Sequence, residues 1–191
     1  MREILSTRAC VEITSAADYP EIPEPDETGA TFMENARLKA LYYAQHTGLL
    51  ALADDSGLQV DALDGRPGIA SARYADTDTA RIARLLGELN QLPPATRRTA
   101  RFFCAVALAR PGTVLAQSTG TLEGEIAAES RGTHGFGYDP IFFATELNCH
   151  LAEALPETKN KVSHRGRALD AILPDLLRIL QQTPSQDETL N

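Results

Sequence analysis

Leu49-Leu50-Ala51-Leu52-Ala53-Asp54-Asp55-Ser56-Gly57 sets an apolar run directly against two carboxylates, a hydroxyl and a glycine. A short apolar run stopped by polar turn residues predicts a buried strand over 49–53, with Asp54 and Asp55 at its C-terminal end. In open α/β sheets that end is where ligands bind. The same D-D-S-G letters equally suit a plain turn with an Asx or capping role. Just upstream, Phe32, Ala36, Ala40 and Ala44 recur at helical spacing. Thr31 with Glu34 forms a capping-box pattern at the start of that helix, and Gly48 stands where a terminal glycine would end it. A loop rich in proline and acids, residues 19–29, precedes it.

Downstream, residues 78–89 (DTARIARLLGEL) predict a second amphipathic helix packed on the sheet through Ile82, Leu85, Leu86 and Leu89. Residues 99–109 and 113–118, separated by Pro111-Gly112, predict two antiparallel strands, with a third over 121–127. Residues 132–140 hold too much glycine for regular structure. Residues 168–180 predict a last helix that Pro174 kinks or breaks, and 181–191 a frayed tail. Strand and helix signals alternate without an internal repeat, so the chain reads as one α/β domain over 1–180.

Composition narrows the function classes. The chain has 191 residues, 43% hydrophobic and 23% charged, which excludes disordered and fibrous classes. Its formal net charge of −8 argues against a face that wraps nucleic-acid backbone, although a local basic cluster can still bind a small anion. The longest strongly apolar run, 102–109, falls far short of the roughly 18 residues of a membrane span, and the first ten residues lack a signal-peptide core. The reading is cytoplasmic, with no membrane and no nucleic-acid partner. Cys10, Cys104 and Cys149 are odd in number and widely spaced, which predicts reduced thiols rather than a zinc site.

Four pieces carry chemistry. Glu27, Asp54 and Asp55 are hard oxygen donors suited to Mg²⁺, which keeps several waters and takes one or two carboxylates plus substrate phosphates. Neighbouring strand residues point to opposite faces, so Asp54 and Asp55 meet on one ion only if the backbone turns or a water bridges. The second piece is KNKVSHRGR, residues 159–167, which contains two of the chain's three lysines and no acid. Lys159, Lys161, His164, Arg165 and Arg167 there can trap an anion, with Ser163 as a neutral donor, or can form a solvated loop before the last helix. Third, Lys39 shares a helix face with Asn35, where it either approaches phosphates or offsets Glu34. Fourth, GTHGFGYDP, residues 132–140, combines close-approach glycines with Phe136 and Tyr138, on which a nucleobase can stack; the same composition suits a tight turn. Together the pieces match the needs of a nucleoside triphosphate.

At this point the sequence resembles the inosine/xanthosine triphosphate pyrophosphatase (dITP/XTP pyrophosphatase) family. ETGATFMENARLKA (27–40), LADDSGLQVDALDGRPGIASARY (52–74), GFGYDPIF (135–142) and SHRGRAL (163–169) follow the family's pattern in its order. The resemblance implies an elongated mixed β-sheet with flanking helices, two lobes around a central nucleotide cleft, and a homodimer. It implies Mg²⁺-dependent hydrolysis of ITP, dITP and XTP to the monophosphate and pyrophosphate. By motif, Asp55 is implied as general base and metal ligand, with Glu27 and Asp54 supporting metal and water and Ser56 touching substrate. Lys39, Lys159 and Arg165 are implied to hold phosphate or base, His164 to lie beside the base, and Phe136, Gly137, Tyr138 and Asp139 to form its slot. One departure stands out. The family opens with a strand and an S/T-x-N-x-x-K phosphate loop before the segment that Arg2-Glu3-Ile4-Leu5 resembles, so the sequence reads as N-terminally truncated. That leaves two expectations, an enzyme whose start lies upstream or a catalytically impaired nucleotide-binding or dimer-partner protein.

Overall fold

The computed structural model describes residues 12–182. Cys10, the Arg2–Leu5 segment and residues 183–191 of the expected tail lie outside the described residues. Helix α1, Phe32–Thr47, starts at Thr31, whose hydroxyl accepts from the Glu34 amide, and ends at Gly48 with φ 72°. Glu34 reaches back one residue further than a capping box requires, to the Ala30 amide at 2.7 Å. The apolar run then becomes strand β1, Ala51–Val60. It does not stop at the acids: Asp54 to Gly57 pair in register with Val106 to Phe103 on β2, Thr99–Arg110. The expected turn is therefore strand. Polar letters mark a turn only where no partner supplies a ladder, and here all four residues sit opposite β2 in the ladder.

Strand β3, Thr113–Ile126, is one long strand where two shorter ones were expected, because Ser118 to Thr121 continue the ladder opposite Val106 to Phe103. Short strands β4, Phe142–Ala144, and β5, Cys149–His150, complete a five-stranded sheet in the order β1-β2-β3-β4-β5, antiparallel at each described pairing. Helix α2, Asp78–Asn90, follows Thr77 as cap and buries Leu85 and Leu89 as its period required. The basic segment is helical, not a solvated loop: α3 is Pro156–Val162, and α4, His164–Gln182, continues past Pro174 without a break. Ser163 joins them, and its hydroxyl accepts the Gly166 amide at 3.0 Å, capping α4 four residues before the expected start.

Side chains alternate along β1 and β2, and each set finds its own helix. Ala105, Ala107 and Ala109 lie against Phe32, Ala36, Ala40 and Ala44 of α1. Cys104, Val106 and Leu108 lie against Ala168, Leu169, Ile172 and Leu176 of α4. A third cluster around Leu58, Phe102, Leu85, Ile141 and Phe142 fills the far end of the sheet under α2. Gly120 sets how closely α4 approaches: a Cβ there would lie 2.2 Å from the His164 carbonyl oxygen and 2.5 Å from the Ala168 nitrogen. The helix start thus sits directly on the β3 backbone, beside the residues that matter below.

Candidate active site

Between the glycine-rich loop and the start of α4 lies a cleft of about 420 Å³. Ser56, Phe136, Gly137, Tyr138, Asp139, Lys159, His164 and Arg165 line it, so eight of the residues singled out in the sequence meet there. Asp139 is nearly fully buried, and one of its carboxylate oxygens receives the Phe136 amide at 2.8 Å and the Lys159 ammonium. That ammonium also stands 4.9 Å from the centre of the Phe136 ring, which is 68% exposed at the cleft mouth. Gly135 allows this closeness, since a Cβ on it would meet the Asp139 carboxylate at 2.1 Å. The Tyr138 hydroxyl donates to the Ser71 carbonyl at 3.1 Å, and burial pushes its pKa up to about 12.

His164 stacks on Phe102 with ring centres 5.0 Å apart and planes 13° from parallel. Burial, reinforced by the nearby charges of Arg165 and Lys159, pushes its pKa down to about 3. The ring is neutral at physiological pH, and its buried Nδ1 has no hydrogen-bond partner among the described residues. Arg165 donates to Asp54 at 2.9 Å and to the Ser56 hydroxyl at 3.1 Å. Burial opposes its charge, but Asp54 outweighs that and holds the guanidinium above its ordinary pKa.

A second group occupies the other face of β1. Asp55, only 8% exposed, accepts from Asn35 Nδ2 at 3.0 Å and from Lys39 Nζ at 3.4 Å. Lys39 donates to Glu27 at 2.8 Å as well, and Arg73 reaches the other Glu27 oxygen at 2.7 Å. Burial raises the Asp55 pKa above its usual value despite the Asn35 bond and the Lys39 charge, which favour the anion. Glu27 goes the opposite way, lowered chiefly by its Lys39 hydrogen bond. Lys39 is held above its ordinary pKa: burial works against the cation, and Glu27 and Asp55 more than compensate.

The structure separates Asp54 from the other two acids. Strand alternation turns its carboxylate to the α4 face, where Arg165 and the buried Cys104 thiol contact it. Among the described residues no three His, Cys, Asp or Glu side chains gather into a ligand set. Glu27 and Asp55, drawn together by one lysine, still offer the one or two carboxylates that Mg²⁺ typically takes when phosphates and water complete its shell. The donor chemistry therefore fits a hard divalent cation whose shell is completed by other oxygens, and not one caged by protein alone.

A family model described as Ham1p_like, the Ham1 family, matches residues 1–175. This chain belongs to the Ham1 family. Proteins named dITP/XTP pyrophosphatase are similar to it: that of Geobacter sulfurreducens is 52% identical over 168 residues, 86% of this chain and 83% of the relative. That of Listeria monocytogenes is 46% identical over 175 residues, 90% of this chain and 86% of the relative. Among solved structures, the Ham1 protein of Coxiella burnetii superposes with TM-score 0.85 at 40% identity, over 93% of this chain and 91% of that one. The Staphylococcus aureus Ham1 protein gives 0.83 at 36% identity, over 93% and 91%.

As a Ham1 protein the chain also places residues at the site that sequence reasoning passed over. Asn35 was noted only for sharing a face with Lys39, yet it is fully buried and bonds Asp55; the polar residue inside an otherwise apolar helix stripe was the available signal. Arg73, Phe102, Ser71 and Asp78 join through tertiary contacts with no local signature.

Proposed function

We propose that this chain hydrolyses dITP, ITP and XTP to the nucleoside monophosphate and pyrophosphate, as the names of its relatives suggest for them. The observation that carries the reading is the division of labour around Asp54-Asp55-Ser56. One face of β1 holds the base slot through Ser56, Arg165 and the glycine loop, and the other holds the Asp55–Glu27–Lys39 cluster. Among the described residues β1 is an edge strand, so a ligand lying across that edge can engage both faces at once.

In this reading the purine stacks on Phe136 beside the neutral His164 ring, while Lys159 and Arg165 supply positive charge along the cleft. A divalent ion such as Mg²⁺, held by Glu27 and Asp55 with the substrate phosphates, supplies charge neutralisation and orientation. Asp55 orients a water toward the α-phosphorus and accepts its proton. Its upward-shifted pKa suits a general base better than an ordinary surface carboxylate. Lys39 keeps Asp55 and Glu27 ionised side by side at neutral pH.

Base choice follows from unpaired polar groups. The Phe136 and Gly137 amides already donate to Asp139 and Asp78, which leaves His164 and Arg165 as the side chains to read the purine edge. A 6-oxo group accepts from such donors, whereas a 6-amino group leaves them unpaired. From the family resemblance we further propose a homodimer that works in the cytoplasm. Pyrophosphate release from dITP, ITP and XTP with Mg²⁺, against ATP with its 6-amino group, tests the reading. Turnover of the oxo-purines with ATP at least a hundredfold slower supports it; binding without turnover, or equal rates on ATP, overturns it.

A further inference from the structure

We propose that Asp78 is a positioning residue for the base slot: its carboxylate latches the glycine loop to helix α2, and the aromatic wall of the cleft depends on that latch. The inference rests on the pyrophosphatase reading for its kinetic consequence, but the latch itself does not. The Gly137 amide donates to Asp78 Oδ2 at 2.7 Å, across 59 positions of sequence. Gly137 has φ 62°, the left-handed conformation that glycine tolerates, and in that conformation its N–H reaches the helix. The other Asp78 oxygen receives Arg81 Nη1 at 2.7 Å, and Arg81 Nε donates to the Ala75 carbonyl at 2.9 Å. The acceptor is thus fixed from behind by an arginine that itself lines the cleft.

Helix α2 is a firm anchor, because Leu85 and Leu89 bury its inner face in the core. The loop is less secure. Phe136 stands between two amides held by carboxylates, its own by Asp139 and that of Gly137 by Asp78, and its ring is largely exposed. Tyr138 supplies one more tie through Ser71. Removing Asp78 frees the Gly137 amide from α2 and leaves Tyr138 as the next tie on that side, so the Phe136 ring samples more positions before a nucleotide arrives. Ordering it then weakens binding without changing the chemistry at Asp55.

An acid in the first turn of a helix also stabilises that helix, so the test separates the two roles. In Asp78→Ala, KM for XTP and ITP should rise about tenfold with kcat within twofold, the size expected of one lost charge-assisted hydrogen bond. Asp78→Asn keeps an oxygen for the Gly137 amide and should restore most of the loss. Amide exchange of the ligand-free protein, read by NMR, should show faster exchange at Gly137 in the Ala variant and near-native exchange in the Asn variant. Unchanged exchange at Gly137, or an unchanged KM in the Ala variant of an active enzyme, refutes the latch. A fall in kcat that tracks a lower melting temperature in both variants does so too, since a structural role alone predicts it. If the unaltered protein turns over none of these nucleotides, the functional reading fails, and the exchange measurement still decides the latch.

Discussion

Replacing His164 with Phe removes a single titratable ring while keeping an aromatic against Phe102. In the folded chain burial and the adjacent Arg165 and Lys159 charges push the His164 pKa from its ordinary 6.5 down to about 3. The unfolded chain therefore binds this proton at pH values where the native state does not. Stability is unpenalised above about pH 6.5 and falls as pH drops toward 3, at about 1.4 kcal/mol per pH unit. At about pH 5 the native protein should have lost roughly 2 kcal/mol through this group alone. Urea unfolding at about pH 7.5 and about pH 5, on the wild type and His164→Phe, isolates the effect, because the other titrating groups are common to both. The wild type should lose roughly 2 kcal/mol more than the variant between the two pH values, or about 1 M in urea midpoint for an m-value near 2 kcal/mol/M. Equal losses would mean that His164 takes up its proton in the folded state as readily as in the unfolded one. The downward shift that burial imposes on the ring would then be wrong.

Other consequences are as direct. Asp55→Asn should lower kcat by about a hundredfold or more, while nucleotide affinity measured by titration calorimetry without a divalent ion changes little. In the unaltered enzyme the acid limb of kcat/KM should lie above the ordinary carboxylate range, with rate rising as Asp55 ionises; Lys39→Met, which takes away the cation favouring that anion, should move the limb to higher pH. A limb that stays put in the Met variant rejects the assignment. Gly120→Ala drives a methyl into the His164 carbonyl and should cost about 1–3 kcal/mol in denaturant unfolding and weaken nucleotide binding as α4 shifts. Native stability in that variant contradicts the close approach of α4 to β3.

Legibility in the sequence followed the range of the interaction. Helix α1 was readable from end to end because its stripe, its Thr31 cap and its Gly48 terminus are local. The same local rules misread Asp54-Asp55-Ser56-Gly57 as a turn, since what makes them strand is their pairing with residues 103–106, nearly fifty positions away. Residues 159–167 read as either an anion trap or a solvated loop because their charges mask the end of a short helix that leads, through the Ser163 cap, into α4. The cleft residues were legible as motifs, and the structure gathers Ser56, Phe136, Gly137, Tyr138, Asp139, Lys159, His164 and Arg165 into one lining. Their division was not. Strand alternation sends Asp54 to Arg165 and Asp55 to Asn35 and Lys39, and that follows only once the acids are known to lie inside a strand.

The central claim is that a water positioned by Asp55 attacks the α-phosphorus. Hydrolysis of XTP in ¹⁸O-enriched water, with products resolved by mass spectrometry, tests it in one step. The account predicts a single ¹⁸O in the nucleoside monophosphate and none in the pyrophosphate, with both products forming more slowly, by about a hundredfold or more, in Asp55→Asn. Label in the pyrophosphate, release of orthophosphate as the first product, or undiminished turnover in the Asn variant would contradict it.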